Sequence, residues 1–179
     1  MANGIRPTKS PAAFASFRCN RVNPAVREEL KAVLAAADAA VAEARPRCDA
    51  SGRCCRFREY GHTLFISQIE ADHLLEEPPP AGGPYTDAGC PYQVENLCTA
   101  RERRPLGCRL YFCDPAYQDT APRLSERFIR ELKQLCDRQS LPWRYAPLHV
   151  FLAEHTAPRP AFGRSSSERL SLPITALEP

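Results

Sequence analysis

Cysteine is the residue that most constrains how this chain of 179 residues can fold. Nine cysteines occur in the sequence, and seven lie within one segment: Cys48, Cys54, Cys55, Cys90, Cys98, Cys108 and Cys113. A chain of this length with 44% hydrophobic residues can bury a core without disulfide staples. The cysteine fraction is below the level of disulfide-built scaffolds, and an odd count prevents complete pairing within one chain. The cluster therefore favours bound metal or redox chemistry over structural disulfides.

The remaining composition limits the choice of partners. The N-terminus lacks the apolar run of a signal peptide, and no segment reaches the about 18 apolar residues of a membrane helix. We therefore expect a cytoplasmic location, where thiols stay reduced, and no membrane partner. The net charge is only +3, from 24 basic and 21 acidic residues, so we expect no nucleic-acid partner. The expected ligand is a metal ion or cluster, and a protein partner stays open.

Hydrophobic spacing predicts three helices in a mainly helical α+β fold. The first should follow Asn23, a favoured N-cap residue, and end before Pro46. The second should start where Ser67 and Glu70 form a capping-box pair. The third should cover about 122–138, where apolar residues recur on one face. Cys136 lies on that face and is interpreted as a core residue, because free cysteine packs as a small hydrophobe.

Short β-elements are expected between and after these helices. The run 63–66 is rich in β-prone residues, and 91–97 has the pattern of a small hairpin. The run 149–152 is expected to form a further short strand. These elements predict a small α+β domain in which three helices pack around a short β-element and the cysteine-bearing loops converge on a metal site.

The chain ends are expected to lie outside that domain. Residues 1–22 lack a sustained hydrophobic period, which predicts a mobile N-terminal arm. Proline and serine are frequent from position 155 onward, which predicts a weakly ordered tail over 155–179. The predicted cysteine-cluster domain therefore covers 23–154.

The spacing of the thiols bears on the kind of metal. Four thiolates suffice for a zinc site or an iron–sulfur cluster. Structural zinc sites usually contain cysteine pairs that are two residues apart, and this chain has none. That absence moves the prediction toward an iron–sulfur cluster, of which a four-iron cluster is one form, with zinc as the alternative. Cys54 and Cys55 are adjacent, so their side chains diverge and one of them is free to face the core.

A longer pattern runs through the cysteine segment: Cys48, Ser51, Cys54, Cys55, Cys90-Pro91, Cys98 and Arg104-Pro105-Leu106-Gly107-Cys108-Arg109. It resembles the CxxCxxCC or YkgJ-type cysteine-cluster proteins, which are described as zinc- or iron-chelating domains, and it is similar to the flagellin lysine methylase family. The second cysteine of that family is Ser51 here, and a hydroxyl is a far poorer ligand than a thiolate. Three accounts stay open: this position does not bind metal, Cys113 replaces it, or the site keeps an open coordination position.

The resemblance implies a set of metal ligands: Cys48, Cys54, Cys55, Cys90, Cys98 and Cys108. Within this set we prefer four, with the other two close behind: Cys48, Cys55, Cys98 and Cys108. Arg104 and Arg109 are expected to contact the bound group, because their charge offsets that of a thiolate-bound cluster. A solvated basic face is the alternative for these arginines.

Three functions fit these residues. The first is a metal-binding protein with an iron–sulfur cluster or zinc, acting in metal handling, electron transfer or assembly. The second, implied by the methylase resemblance, is a metal-dependent enzyme that modifies a protein side chain, and the third is a thiol redox module. Side chains near the thiols are candidates for a further ligand or a substrate pocket: Tyr60, His62, Tyr111 and Asp114. No serine–histidine–acid order or phosphate loop predicts another enzyme class.

Overall fold

A computed structural model describes residues 23–80, 82 and 84–156. The described residues form five α-helices and four short strands: α1 Pro24–Ala44, β1 Phe65–Ser67, α2 Gln68–Leu74, β2 Gln93–Val94, β3 Leu97–Cys98, α3 Leu106–Leu110, α4 Thr120–Arg138, β4 Tyr145–Pro147 and α5 Leu148–Thr156. The prediction of a small, mainly helical α+β fold is confirmed. The expected N-terminal arm and all but the first two residues of the expected tail lie outside the described residues.

Helices α1 and α4 are the two long elements, and both were predicted. The Asn23 side-chain amide oxygen Oδ1 accepts a hydrogen bond from the Ala25 N–H at 3.0 Å, which caps α1. Arg45 ends α1 in the left-handed conformation, and its N–H donates to the Val41 carbonyl. Helix α4 begins at Thr120, two residues before the predicted start.

The first hydrophobic core lies between α1, α3 and α4. Its fully buried residues include Leu30 of α1, Leu110 of α3 and Phe128 of α4. Cys136 belongs to this core and is only 2% exposed. The prediction that Cys136 is a core residue is therefore confirmed, and burial raises the pKa of its thiol to about 11.

The second hydrophobic core joins α2, α5 and the antiparallel pair of β1 and β4, in which Phe65 is paired with Pro147. Three cysteines pack against this core: Cys90, Cys98 and Cys108. The predicted strand over 149–152 is wrong, because these residues belong to α5. Leu148, Phe151 and Leu152 are all buried, and their spacing of three and four residues is the helical period.

The hairpin predicted over 91–97 is confirmed as β2 and β3. Gln93 pairs with Cys98, and Val94 pairs with Leu97. The two turn residues have positive φ angles, 48° at Glu95 and 66° at Asn96, as a tight two-residue turn requires. This hairpin places Cys98 directly beside the segment that carries Cys90.

A buried carboxylate joins α2 to α3. Glu70 is 2% exposed, and its oxygens accept hydrogen bonds from the Ser67 N–H at 2.8 Å and the Ser67 hydroxyl at 2.6 Å. The Leu106 N–H, at the start of α3, donates to the same carboxylate at 2.7 Å. The predicted capping box is confirmed. Because it also binds Leu106, Glu70 fixes the segment that carries Cys108.

Among the described helices, none has the length and apolar character needed to cross a bilayer.

Candidate metal centre

All seven cysteines of the segment line one cavity of about 180 Å³: Cys48, Cys54, Cys55, Cys90, Cys98, Cys108 and Cys113. They come from three stretches of chain, before β1, around the β2–β3 hairpin, and in and after α3. Every cysteine in the described part of the chain is a free thiol. The structure therefore brings together the six predicted ligands and Cys113.

Hydrogen bonds between the loops hold the first two stretches against each other. The Cys90 N–H donates to the Cys55 carbonyl at 2.8 Å, and the Gln93 amide Nε2 donates to the Gly52 carbonyl at 2.9 Å. Gly52 has a φ of 70°, and a Cβ atom there would lie 3.0 Å from the Cα atom of Asn96. Gly52 thus permits both a left-handed turn and a close approach of the hairpin.

The third stretch is positioned by Arg109. The Arg109 guanidinium donates to the carbonyls of Arg104 and Glu102, each at 2.7 Å, and forms an ion pair with Asp38 of α1. Arg109 is 8% exposed, and its side chain lies on a different cleft, beside Lys31. In this structure Arg109 therefore shapes the turn before Cys108, and its predicted contact with a bound group stays a prediction.

Arg104 lines the cysteine cavity, and its Nε donates to the Arg101 carbonyl at 3.2 Å. Its predicted contact with a bound group stays a prediction. The positive charge of Arg104 lowers the pKa values of Cys54 and Cys108, although other effects outweigh it. Arg104 is thus one of three arginines on the cavity wall, with Arg53 and Arg101, whose charge can offset the negative charge of nearby thiolates.

The thiols interact closely enough to oppose one another's ionisation. The Cys54 and Cys55 sulfur atoms lie 4.0 Å apart, and their hydrogen bond, followed by burial, raises the pKa of Cys54 well above its usual range. The same bond lowers the pKa of Cys55, but a bond with Cys90 and burial raise it to about 12. Burial, followed by the charges of Cys55, Cys98 and Cys54, raises the pKa of Cys108. These interactions oppose the ionisation of several thiols at once, and a bound cation would offset them.

The chemistry of the donor set fits a thiophilic metal. The cavity wall is largely apolar, contains clustered thiols and includes one acidic residue, Asp49. Among the described residues, however, no three histidine, cysteine or acidic side chains already stand at the spacing of a metal site. The thiols share one cavity but are too far apart to coordinate one ion together, so binding requires them to close around it.

Ser51 and Cys113 both line the cavity. The Ser51 carbonyl accepts a hydrogen bond from the Arg56 guanidinium at 2.9 Å. Cys113 is therefore placed to supply the thiol that Ser51 lacks, and all three accounts of this position stay open.

The polar candidates cluster beside the cavity. The Tyr111 ring stacks on the His62 ring at 4.7 Å between centroids, and His62 Nε2 lies 3.3 Å from the Cys54 carbonyl. The Asp114 carboxylate accepts a hydrogen bond from the Arg47 N–H at 2.8 Å. Tyr60 and Tyr111 also line a second cleft of about 420 Å³. This cleft shares four wall residues with the cysteine cavity: Arg53, Tyr111, Phe112 and Cys113.

Three structural residues were not predicted to matter for the site. The Gln93 side-chain amide donates to the Gly52 carbonyl, and the Glu102 carbonyl accepts from the Arg109 guanidinium. These two contacts hold the loops: they involve Gly52, Gln93 and Glu102. The sequence carries no signal for Gln93 and Glu102, because their partners lie in other turns of the chain. A glycine two residues before Cys54 was a local signal for Gly52, since glycine often marks a left-handed turn.

Comparisons of the chain with the models of known families, with curated proteins and with solved structures find no match in any of the three. The resemblance to the cysteine-cluster proteins therefore stays a prediction.

Proposed function

We propose that this chain is a metal-binding protein whose cysteine cavity holds an iron–sulfur cluster or zinc. One observation carries the proposal: seven free thiols from three stretches of chain line a single cavity. Cysteines that only fill a hydrophobic core do not need to share one cavity. Thiolates are the ligands that zinc and iron–sulfur clusters take from proteins.

The number of thiols and their surroundings favour a cluster over a single zinc ion. One zinc ion uses at most four thiolates, and seven are available here. The positive charge of Arg104 favours a group with negative charge, and the apolar wall limits the contact of that group with solvent. Net charge and solvent exposure are both determinants of the reduction potential of a cluster. A cluster would supply electron transfer or a site for assembly and exchange, whereas zinc would mainly hold the loops together.

The alternatives make different demands on the same residues. A thiol redox module needs disulfides that form and break within the cavity. The Cys54 and Cys55 sulfur atoms are in contact, but these residues are adjacent in sequence and therefore do not pair easily with each other. A metal-dependent enzyme of the lysine methylase type needs a substrate pocket, for which the second cleft beside Tyr111 is the candidate. Metal content separates the redox module from the other two functions.

The test is metal and acid-labile sulfide analysis of protein purified without oxygen, together with its absorption spectrum. We expect stoichiometric iron and sulfide with broad visible absorption, or one zinc ion per chain. Cys108→Ser should lose most of this content, whereas Cys136→Ala, in the first core, should keep it. Wild-type protein without either metal, before and after reconstitution, would overturn the proposal.

A further inference from the structure

The seven thiols of the cavity fall into two groups by their packing. The inner thiols are the buried Cys55 and the three that pack on the second core, Cys90, Cys98 and Cys108, and the outer thiols are the other three, Cys48, Cys54 and Cys113. This division does not follow the order of the cysteines along the chain, since the adjacent pair Cys54–Cys55 is split between the groups.

The inner thiols lie against the protein interior. Cys90, Cys98 and Cys108 pack on the second core, and Cys55 is only 6% exposed. The backbone bond from Cys90 to Cys55 and the pairing of Cys98 with Gln93 fix their relative positions. Once they close around an ion, these four thiols make up the ligand set of a closed, four-coordinate metal centre.

The outer thiols line the cavity without packing on the second core. Cys48 is exposed, and neither Cys54 nor Cys113 belongs to the group that packs on the second core. Tyr111 lines the cavity together with Cys113, and its ring stacks on that of His62, whose Nε2 lies 3.3 Å from the Cys54 carbonyl. Cys113 also lines the second cleft, so this side of the cavity is open to solvent.

A hydrogen bond holds the two ends of the outer group together. The Arg47 N–H donates to the Asp114 carboxylate at 2.8 Å, across 67 positions of sequence. Arg47 and Asp114 are the direct neighbours of Cys48 and Cys113. This bond therefore brings an exposed loop thiol close to Cys113.

We propose that the outer thiols form a second, weaker site for a thiophilic divalent cation such as Zn²⁺, beside the inner centre. The proposal rests on metal binding by the inner thiols. Three thiolates leave one position of a tetrahedral ion to water, which makes this site open and exchangeable. Cys48 lies in a loop without regular structure, so it can close on an ion that already contacts Cys54 and Cys113.

A second site of this kind gives a metal a route into and out of the closed centre. Each ion that binds displaces protons from the thiols, and no change of oxidation state is needed. The Cys54 and Cys55 sulfur atoms are 4.0 Å apart, so a cation can pass between the two groups with little movement.

The test uses Cd²⁺ as a thiophilic probe, with bound ions counted by native mass spectrometry. Every protein carries Cys19→Ser, because Cys19 lies outside the described residues and its thiol must not contribute to the count. We expect the otherwise wild-type protein to bind two ions, of which the second is lost first to a chelator. Triple replacement of the outer thiols, C48S/C54S/C113S, should bind one ion as tightly as the first. Cys98→Ser together with Cys108→Ser should lose the tighter ion.

A milder variant tests the tether without removing any thiol. Asp114→Ala should weaken the second ion and leave the first unchanged, whereas Asp119→Ala, a nearby exposed acidic residue, should change neither. Loss of the tight ion from the triple variant, or a single ion in wild-type protein, would overturn the second site while metal binding itself stands. Absence of any bound Cd²⁺ would instead overturn the proposed function.

Discussion

Replacement of Glu70 by alanine should destabilise the protein more than a surface substitution can. The carboxylate accepts three hydrogen bonds, and two of the donors are the backbone N–H groups of Ser67 and Leu106. Both groups lose their acceptor in Glu70→Ala, and a buried donor without a partner costs about 1–3 kcal/mol. We therefore expect the free energy of unfolding to fall by about 3 kcal/mol.

The assay is urea unfolding of wild-type and variant protein, followed by circular dichroism. Metal content must be matched, because a ligand that binds only the folded state adds to the measured stability. Glu126→Ala, at an exposed position of α4, is the matched control, and it should change stability by less than about 0.5 kcal/mol. Glu70→Ala should also bind less metal, since it frees the start of the helix that carries Cys108. A loss below about 1 kcal/mol would refute the claim that Glu70 joins α2 to α3.

Three further predictions concern the same framework. Burial raises the pKa of Glu70, so the folded state binds the Glu70 proton more tightly than the unfolded state does. The stability that this proton contributes is complete below the unfolded pKa of about 4.5 and is lost as the pH rises through the folded pKa. Glu70→Gln should flatten the dependence of the free energy of unfolding on pH over that window. Gly52→Ala should lower thermal stability more than Gly61→Ala. Both positions have a positive φ, which costs a non-glycine residue about 1–2 kcal/mol. Only at Gly52 would the added Cβ atom also collide with the β2–β3 hairpin. Arg109→Ala should cost about 2–3 kcal/mol in urea unfolding, since it leaves two carbonyls and Asp38 unpaired, whereas the exposed ion-pair variant Arg138→Ala should cost under about 1 kcal/mol. Equal losses within either pair of variants would contradict the assigned contacts.

Elements with strong local signals could be predicted from the sequence. The cap at Asn23, the capping box at Ser67 and the apolar face of α4 each depend on residues within a few positions of one another. The run 149–152 was assigned to a strand because its residues are β-prone, but its buried neighbour Leu148 extends the pattern to the helical period. A short apolar run fits both a helix and a strand, and here tertiary packing determines that it forms a helix.

The site was predicted as a set of residues but not as an arrangement. The sequence named the thiols, whereas their division into inner and outer groups depends on contacts between distant positions, such as Gln93 with Gly52. Arg109 shows why the arrangement could not be predicted from neighbouring positions in the sequence. It follows Cys108 directly, yet neighbouring residues of a helix are rotated by about 100°, so their side chains face different surroundings. The structure places the guanidinium beside Asp38 of α1 and not in the cavity.

X-ray absorption spectroscopy of the metal in anaerobically purified protein tests the central claim most directly, because it identifies the atoms bound to the metal. We expect sulfur neighbours at about 2.3 Å, the distance of a thiolate from zinc, with additional iron neighbours if the group is a cluster. Cys98→Ser together with Cys108→Ser should remove that sulfur signal. A metal surrounded only by nitrogen or oxygen at about 2.0–2.2 Å would contradict binding in the cysteine cavity.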